Sequence, residues 1–320
     1  MKKRFLLAVL VGLLISVAGA TAQQRPRQFE LKADSPKFSE LVPKDAKLEF
    51  VSGGMGFTEG PVWDPSGFVY VSDEVLNKIF RIYPDGHKEE FISLGDPDGN
   101  TYDQHGQFID CASVVRAVIR IKPDGSYVVL ADRYQGKRFN SPNDVVTGPD
   151  GAIYFTDPTS DLPKDQKQEL DFEGVFRLDA QGRVTLLTRE LTEPNGLAFS
   201  PDGKRLYVDD SAQRNIRVYD FQPDGTIRNG RIFGEEPGGM GEGVPDGMRM
   251  DRAGNLYVTG PAGIWVWDPD GHHLGTVMLP EQPANLAWGD PDWKTLYITA
   301  TTSLYKLRTN ATGFVPYLTK

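Results

Sequence analysis

The sequence is poor in cysteine, in helical patterning and in long hydrophobic runs. Its 320 residues contain one cysteine, Cys111, so no disulfide can form within the chain and a hydrophobic core must hold the fold together. No stretch sustains the 3.6-residue hydrophobic period of an amphipathic helix. The 34 glycines and 23 prolines instead indicate many turns between short strands.

Basic residues are also in deficit. The chain has 35 lysines and arginines against 44 aspartates and glutamates, which gives a net charge of −9. An acidic surface repels nucleic acids and anionic membranes, so we expect neither as a partner. We expect a monomer or a weak dimer.

The one long apolar run lies at the N-terminus. Residues 2–4 are basic, residues 5–17 are apolar, and residues 20–22 have the A-x-A form of a cleavage site. This pattern predicts a cleaved secretory signal over residues 1–22, since the apolar run is too short to favour a membrane span. Its removal leaves 32 basic and 44 acidic residues, a net charge of −12. We therefore expect a periplasmic or secreted bacterial protein.

Six segments of the chain repeat one pattern, in which a polar residue precedes an apolar strand, a turn and a second strand. We call this polar position the slot. The slot residues read from the sequence are Glu59, Asn100, Asn143, Asn195, Asp246 and Asn285. Their successive separations of 41, 43, 52, 51 and 39 residues are close to the period of a propeller blade.

A second motif runs in phase with the first and supplies a third strand with its turn. Examples are "IFRIYPDG" (79–86), "VIRIKPDG" (118–125) and "IWVWDPDG" (264–271). Most copies are followed by a short fourth strand. The two interleaved motifs predict an all-β fold, a six-bladed β-propeller with four antiparallel strands per blade.

A terminal strand is expected to close the ring, because closure removes an open sheet edge. Residues 48–53 and residues 314–319 both have the pattern of an outer strand, and the sequence leaves the choice open. We predict a signal segment over residues 1–22, an N-terminal extension over 23–47 and the propeller over 48–320.

The slot side chains carry the chemistry that the repeat makes available. The innermost strands of a propeller line its central channel, so residues at equivalent positions converge on one mouth. Glu59 and Asp246 bring carboxylates there, and the other slots bring amides. Oxygen ligands without His or Cys are typical of a site for one hard divalent cation. Calcium fits best; magnesium and manganese are alternatives, and zinc fits less well because it prefers Cys and His.

The backbone also offers these residues a purely structural role. Asn and Asp at the start of a strand often satisfy backbone groups in turns. We interpret Asn100 and Asn285 in this way, and we predict that Glu59, Asn195 and Asp246 are the metal ligands.

Four motifs resemble the regucalcin/gluconolactonase family of six-bladed propeller lactonases. They are "FTEGPVW", "RFNSPNDVV", "EPNGLAFSPDG" and "PDGMRMDRAGNLYV", and the resemblance extends over about residues 50–305. In that family a Glu, an Asn and an Asp hold one divalent cation, and they match Glu59, Asn195 and Asp246. A further family Asn, which contacts substrate or water, matches Asn143. The resemblance implies hydrolysis of small lactones, often aldonolactones such as gluconolactone.

One segment departs from the family. Residues 110–118 read "DCASVVRAV", where many bacterial members have a Cys-Glu-His-Gly type of sequence. Cys111 is retained without the acidic and imidazole side chains, and we interpret it as a small core residue. The departure leaves the identity of the lactone open.

The resemblance suggests a mechanism in which a Lewis-acidic cation polarises the lactone carbonyl. Asp246 is the candidate to accept a proton from the attacking water, and Asn143 to orient water or a sugar hydroxyl. Arg138 is a candidate to hold an anionic or hydroxylated substrate, although a surface role fits it equally well. Two other functions stay open: hydrolysis of another ester or of a phosphotriester on the same cation, and a non-catalytic propeller that binds a ligand or partner.

Overall fold

The computed structural model describes residues 27–238 and 243–318. The expected signal segment, residues 1–22, lies outside the described residues. Within the described ranges, no helix has both the length and the apolar character that crossing a membrane requires.

The first described elements flank the propeller. They are β1 (Glu30–Ala33), α1 (Pro36–Leu41) and β2 (Leu48–Ser52). Helix α1 begins at Pro36, and the side chain of Ser35 caps it by accepting a hydrogen bond from the Lys37 N–H at 3.3 Å. Phe38, 1% exposed, attaches the helix to the core.

The next elements form blades 1 to 3, each an antiparallel sheet whose strands follow one another in sequence. Blade 1 consists of β3 (Thr58–Asp64), β4 (Phe68–Asp73), β5 (Lys78–Ile82) and β6 (Lys88–Ser93). Blade 2 consists of β7 (Pro97–Tyr102), β8 (Phe108–Ala112), β9 (Ala117–Ile121) and β10 (Tyr127–Ala131). A short hairpin follows, made of β11 (Arg133–Tyr134) and β12 (Lys137–Arg138). Blade 3 consists of β13 (Val145–Thr147), β14 (Ile153–Asp157), β15 (Gly174–Leu178) and β16 (Val184–Thr188).

Blades 4 to 6 repeat this arrangement. Blade 4 consists of β17 (Pro194–Phe199), β18 (Arg205–Asp210), β19 (Asn215–Phe221) and β20 (Ile227–Glu235). Blade 5 contains β21 (Met248–Met250), β22 (Leu256–Gly260), β23 (Gly263–Trp267) and β24 (His273–Met278). Blade 6 contains β25 (Pro283–Gly289), β26 (Thr295–Ala300) and β27 (Ser303–Arg308). The predicted six-bladed β-propeller is confirmed.

The turns after the third strands explain the recurring PDG triplets. Gly86 and Gly125 end two of these triplets with φ values of 89° and 81°. This left-handed backbone is one that glycine adopts without the steric cost that a Cβ would add. The triplets therefore build the fold, and Asp246 is different because it precedes its strand.

The ring closes through β2. This strand pairs antiparallel with β27, with Leu48 opposite Leu307 and Phe50 opposite Tyr305, and becomes the outer strand of blade 6. Residues 48–53 therefore take the place that the sequence left open between two candidates. Across the closure, the rings of Trp63 in blade 1 and Tyr297 in blade 6 stack with centroids 5.4 Å apart.

The N-terminal extension adds one feature that the repeat does not contain. Strand β1 pairs with β24, with Glu30 opposite Met278, so blade 5 has five strands. The extra strand covers an edge that would otherwise be free to pair with another chain.

The C-terminal segment closes the end of the channel that lies opposite the slots, which we call the lower end, instead of forming an outer strand. Phe314 N–H donates to the Met250 carbonyl at 2.9 Å, and residues 316–318 form the short 3₁₀ helix η1 (Pro316–Leu318). The Tyr317 ring packs edge-on against Tyr102 at 5.3 Å, and its hydroxyl donates to the Trp63 carbonyl at 3.4 Å. Residues 314–317 thus lie against the inner strands, at the end opposite the slots.

Ring closure by β2 yields a stability prediction. Val51 is 8% exposed and packs in the core between blades 6 and 1, whereas Glu49 on the same strand is exposed and forms an ion pair with Lys306 at 3.4 Å. We expect Val51→Asp to lower the free energy of unfolding by about 3 kcal/mol, because it buries a charge, and Glu49→Ala by about 0.5 kcal/mol. Urea unfolding measures both. Equal losses in the two variants would contradict closure by β2.

Candidate functional site

The register of the inner strands locates the slot in four blades, and the repeated sequence pattern places Asn143 and Asp246 at the slots of the other two. Residues just before the slot pair with the last residue of the second strand, as Thr58 does with Asp73 and Pro194 with Asp210. Pro97 and Pro283 pair in the same way with Ala112 and Ala300. The residues that follow form what we call the slot ring: Glu59, Asp98, Asn143, Asn195, Asp246 and Ala284.

This register corrects the sequence reading in two blades. Asp98 and Ala284 occupy the slot in blades 2 and 6, and Asn100 and Asn285 lie deeper in the channel. The error arose because the slot was read as the nearest polar residue before an apolar run, whereas the slot in these blades follows the residue that pairs with the end of the second strand.

The two deeper asparagines satisfy neighbouring polar groups, as expected for Asn100 and Asn285. Asn100 Nδ2 donates to the Gly60 carbonyl at 2.8 Å and to Ser72 Oγ at 2.7 Å. Asn285 Oδ1 accepts from the Leu286 N–H at 2.8 Å, and its Nδ2 donates to Glu59 Oε2 at 2.8 Å. Asn285 therefore hydrogen-bonds to the slot residue Glu59 from a position deeper in the channel.

The channel is narrow at the slot ring, and most blades have glycine at the position directly after the slot. A Cβ on Gly60 would lie 2.0 Å from the Asp98 carbonyl oxygen, and one on Gly196 would lie 1.9 Å from that of Asp246. A Cβ on Gly247 would lie 2.1 Å from Asn285 Cγ. Neighbouring inner strands are thus in backbone contact, and this contact brings side chains from distant parts of the chain to one place.

Aspartates at the ends of second strands hold the loops that lead into the slots. Asp73 accepts hydrogen bonds from the Gly56 and Leu76 N–H groups, both at 2.9 Å. Asp210 accepts from Thr192 N–H at 2.7 Å, and Asp157 accepts from Asn140 N–H at 2.9 Å. Because these carboxylates satisfy loop N–H groups, they fix the approach of the chain to Glu59, Asn143 and Asn195.

A cavity of about 170 Å³ lies at the channel mouth. The four slot residues singled out from the sequence all line it: Glu59, Asn143, Asn195 and Asp246. The remaining lining residues are Phe57, Glu74, Ser160, Asp161, Glu193, Ser211 and Val244.

Glu59 is buried with one carboxylate oxygen satisfied and one free. Its Oε2 accepts from the Gly60 N–H at 2.7 Å and from Asn285, and the side chain is 3% exposed. Its Oε1 has no hydrogen-bond partner among the described residues. Burial, with a further contribution from the charge of Asp144, raises the pKa of Glu59 to about 8. A buried oxygen without a partner is costly, and a cation ligand would satisfy it.

Asp246 and Asn195 face each other from blades 5 and 4. The Asn195 side chain hydrogen-bonds to the Asp246 carboxylate. Burial raises the pKa of Asp246 well above its usual range, and the charges of Glu59 and Asp144 raise it further. The effect of the Glu59 charge on Asp246 means that two carboxylates share one poorly solvated space.

Asn143 is held by acidic side chains. Its Nδ2 donates to Asp98 Oδ2 at 2.7 Å and to Asp161 Oδ2 at 3.5 Å. With the amide nitrogen committed in this way, the carbonyl oxygen is the Asn143 atom that can accept a hydrogen bond from a ligand.

Further acidic side chains lie at the same channel mouth, and the sequence analysis did not single them out. Burial raises the pKa of Glu74 well above its usual range, with further contributions from Glu59 and Asp161. Burial likewise raises the pKa values of Asp98, Asp161 and Glu193. Glu74 and Asp161 lie in irregular loops outside the repeated motif, and Glu193 lies two residues before a slot, so the slot pattern did not single them out.

The donor set fits a hard divalent cation. Glu59, Asn195 and Asp246 offer only oxygen atoms, they line one cavity, and the buried Oε1 of Glu59 has no hydrogen-bond partner in the described chain. A divalent cation would also relieve the repulsion that raises the carboxylate pKa values.

Two other sequence predictions lie away from the cavity. Arg138 is not among the lining residues; its Nη2 donates to the Val115 carbonyl at 2.7 Å, so its substrate role remains a prediction without a contact to the cavity. Cys111 is fully buried in the core between blades 2 and 3, which agrees with its interpretation as a core residue.

A second acidic group lies on an exposed turn of blade 5. Ligand atoms of Asp268, Asp270 and His272 lie within 4.8 Å of one another. Asp268 Oδ1 already accepts the N–H groups of Asp270 and His272, both at 2.9 Å, which is the hydrogen bonding of an ordinary turn. We therefore assign this group to the turn.

Fold and site together define a six-bladed propeller with an oxygen-lined acidic cavity at its channel mouth. The chain belongs to the family described as "SMP-30/Gluconolactonase/LRE-like region", whose sequence model matches residues 57–302. This confirms the resemblance carried by the four motifs.

Individual relatives extend the comparison to most of the chain. A gluconolactonase of Zymomonas mobilis is 35% identical over 307 residues, which cover 87% of this chain and 86% of the relative. A pentonolactonase of Haloferax volcanii is 30% identical over 254 residues, covering 75% of this chain and 80% of the relative. The solved structure of a gluconolactonase from Xanthomonas campestris has a TM-score of 0.81 and 31% identity, covering 89% of this chain and 96% of the other.

The narrow slot ring yields a packing prediction. Gly196→Ala would place a Cβ against the Asp246 carbonyl, whereas a Cβ on Gly95 would meet only Val114 at an ordinary 3.4 Å. We expect Gly196→Ala to lower the free energy of unfolding by about 1–3 kcal/mol, and Gly95→Ala to change it by less than about 1 kcal/mol. Urea unfolding compares them. A Gly196→Ala protein as stable as Gly95→Ala would contradict the backbone contact.

The raised pKa of Glu59 yields a pH prediction for protein held in chelator. Glu59 keeps its proton up to about pH 8 in the folded state but ionises near 4.5 in the unfolded state. The folded state therefore binds more protons over this interval, and stability falls as pH rises, by up to about 1.4 kcal/mol per pH unit from this group. Urea unfolding at pH 5, 6.5 and 8 measures the slope. Glu59→Gln should flatten it, and an unchanged slope in that variant would contradict the assignment.

Proposed function

We propose that this chain is a divalent-cation-dependent hydrolase that opens sugar-type lactones. The observation that carries the proposal is the cavity shared by Glu59, Asn195 and Asp246, with a buried Glu59 oxygen that lacks a hydrogen-bond partner among the described residues. The gluconolactonase and pentonolactonase relatives support the lactone as the substrate class.

In this proposal Glu59, Asn195 and Asp246 hold the cation, with calcium as the best match to their oxygen atoms and magnesium, manganese or zinc as alternatives. When bound, the cation supplies Lewis acidity, which stabilises negative charge on the lactone carbonyl oxygen. Asn285 contributes from below, because its hydrogen bond to Glu59 Oε2 at 2.8 Å fixes that carboxylate and leaves Oε1 to the cavity.

Asp246 is the proposed general base. It lies at the cavity surface beside Asn195, which hydrogen-bonds to its carboxylate and so orients it. Accepting a proton from a water in the cavity turns that water into the nucleophile. Asn143 cannot act as a base, and its carbonyl oxygen is placed to accept a hydrogen bond from the water or from a substrate hydroxyl.

The remaining cavity wall bears on the kind of lactone. Glu74, Asp161 and Glu193 are carboxyl groups around one opening, so they favour a neutral substrate with many hydroxyl donors and disfavour an anionic one. An aldonolactone has this character: it is uncharged and carries a hydroxyl on most ring carbons.

Two alternatives share parts of this site. A phosphotriester or other ester is also uncharged and needs the same cation, but it offers no hydroxyl groups to the acidic wall. A non-catalytic propeller that binds a ligand or a partner has no use for a base beside a cation site.

We also propose that the protein is exported. The proposal rests on the basic, apolar and A-x-A pattern of residues 1–22, which lie outside the described residues. The acidic propeller over residues 48–320 would then act in the periplasm or outside the cell.

Chelation and add-back test the proposed hydrolase. In a pH-indicator assay, we expect EDTA to reduce hydrolysis of glucono-1,5-lactone to the spontaneous rate and added calcium to restore it. Magnesium, manganese and zinc are added in parallel, so that the activity each cation restores can be compared with that restored by calcium. Asp246→Asn keeps the side-chain shape but removes the base, so we expect kcat to fall about 100-fold or more. Asp270→Asn, in the exposed turn of blade 5, is the matched control and should retain wild-type activity.

Three outcomes separate the alternatives. Activity that survives both chelation and Asp246→Asn would rule out the proposed mechanism. Turnover of phosphotriesters or simple esters at higher kcat/KM than of aldonolactones would favour the second hydrolase. A rise in melting temperature with calcium, without turnover of any lactone or ester, would favour the binding module.

A further inference from the structure

A second ring of side chains lies three residues beyond the slot ring in each blade, which we call the lower ring. Its members all line a deeper cavity of about 40 Å³ in the channel: Val62, Thr101, Val146, Ala198, Arg249 and Ala287. Five of them are apolar or neutral. Arg249 is the one charged member, and a charge in such an enclosed place requires a partner.

The Arg249 side chain extends across the channel to its partner, Asp144. It starts from β21 in blade 5, where the two flanking blades contribute the small residues Ala198 and Ala287 to the lower ring. Its Nη1 lies 3.6 Å from Asp144 Oδ2 in blade 3 and donates to the Met248 carbonyl at 2.7 Å. The Arg249 side chain is 14% exposed and that of Asp144 is 1% exposed, so the pair is largely removed from water.

Asp144 connects this pair to the slot ring. It directly follows Asn143 in the chain, and its Oδ1 accepts the Val145 N–H at 2.9 Å. The charge of Asp144 raises the pKa values of both Glu59 and Asp246, while the charge of Arg249 lowers that of Glu59. Asp144 therefore acts on both carboxylates that face the cavity, and Arg249 acts on Glu59.

Arg249 also separates the acidic mouth from the closed end of the channel. Phe314, Val315 and Tyr317 line the deeper cavity together with Arg249. Water has little space there to screen the guanidinium, so its charge acts upward on the slot ring with a strength that a surface arginine would not have.

We propose that Arg249 is a positioning residue that, paired with Asp144 across the channel, sets the affinity with which the slot ring holds its divalent cation. The inference rests on the proposed function, because it takes Glu59, Asn195 and Asp246 as the cation ligands. A guanidinium alone below the site would repel the cation, and a carboxylate alone would attract it. The pair keeps the charge at this level near zero.

Four proteins separate the two charges: wild type, Asp144→Asn, Arg249→Met and the double variant. Isothermal titration with calcium at pH 8.5 and low salt gives the Kd of each. In Asp144→Asn the arginine stays charged without its partner, so we expect calcium to bind on the order of tenfold more weakly. We expect Arg249→Met to bind calcium a few-fold more tightly, and the double variant to return to within about threefold of wild type.

Arg249→Lys distinguishes charge from packing. It keeps the positive charge but replaces the guanidinium with an ammonium group, so we expect its calcium Kd to stay near that of wild type. A purely structural role would instead make Arg249→Lys and Arg249→Met similar. Equal Kd values for wild type and Asp144→Asn, weaker binding by Arg249→Met, or no recovery in the double variant would each overturn the proposal.

Unfolding of the same four proteins in chelator provides a readout that is independent of both calcium and activity. If Arg249 and Asp144 are partners, each single variant loses stability and the double variant loses less than the sum of the two. Losses that simply add would overturn the pairing. A wild type that binds no cation would refute the cation in the proposed function, and the unfolding cycle would still decide whether the two residues act together.

Discussion

Contact between neighbouring inner strands at the channel mouth is the constraint on which the site depends. Gly60, Gly196 and Gly247 leave no room for a Cβ beside the next blade, so six strand starts meet in a ring of minimal width. Side chains from distant parts of the chain, such as Glu59 and Asp246, which are 187 positions apart, consequently line one small cavity. The repeat supplies the convergence, and the few residues that differ between blades supply the chemistry.

This convergence concentrates negative charge where little water can screen it. Glu59, Asp98 and Asp246 belong to one ring, and Glu74 and Asp161 approach it from loops, so their pKa values rise together. The fold tolerates this because the surrounding backbone is anchored by carboxylates of a different kind, such as Asp73 and Asp210, which satisfy loop N–H groups. A bound cation above and Arg249 below would balance what remains.

Much of the fold was predictable from the sequence, because six copies of one pattern leave few other architectures. The four slot residues that line the cavity followed from the same repetition. The register in blades 2 and 6 was not predictable in this way. Asn100 and Asn285 are polar residues close to the slot and were taken for it, whereas the slot residues are Asp98 and Ala284. Closure by β2 and the path of Arg249 to Asp144 depend on partners far away in sequence, which no local pattern encodes.

The closed lower end of the channel affects how a reaction at the mouth would end. With Tyr317 and its neighbours packed against the inner strands, the product must leave through the opening by which the substrate arrived. In the proposed reaction a neutral lactone becomes an acid, which is an anion at neutral pH. Glu74, Asp161 and Glu193 surround that opening, so the same wall that admits an uncharged sugar lactone repels its charged product. Hydrolysis itself would thus convert the ligand from one that the opening accepts into one that it expels.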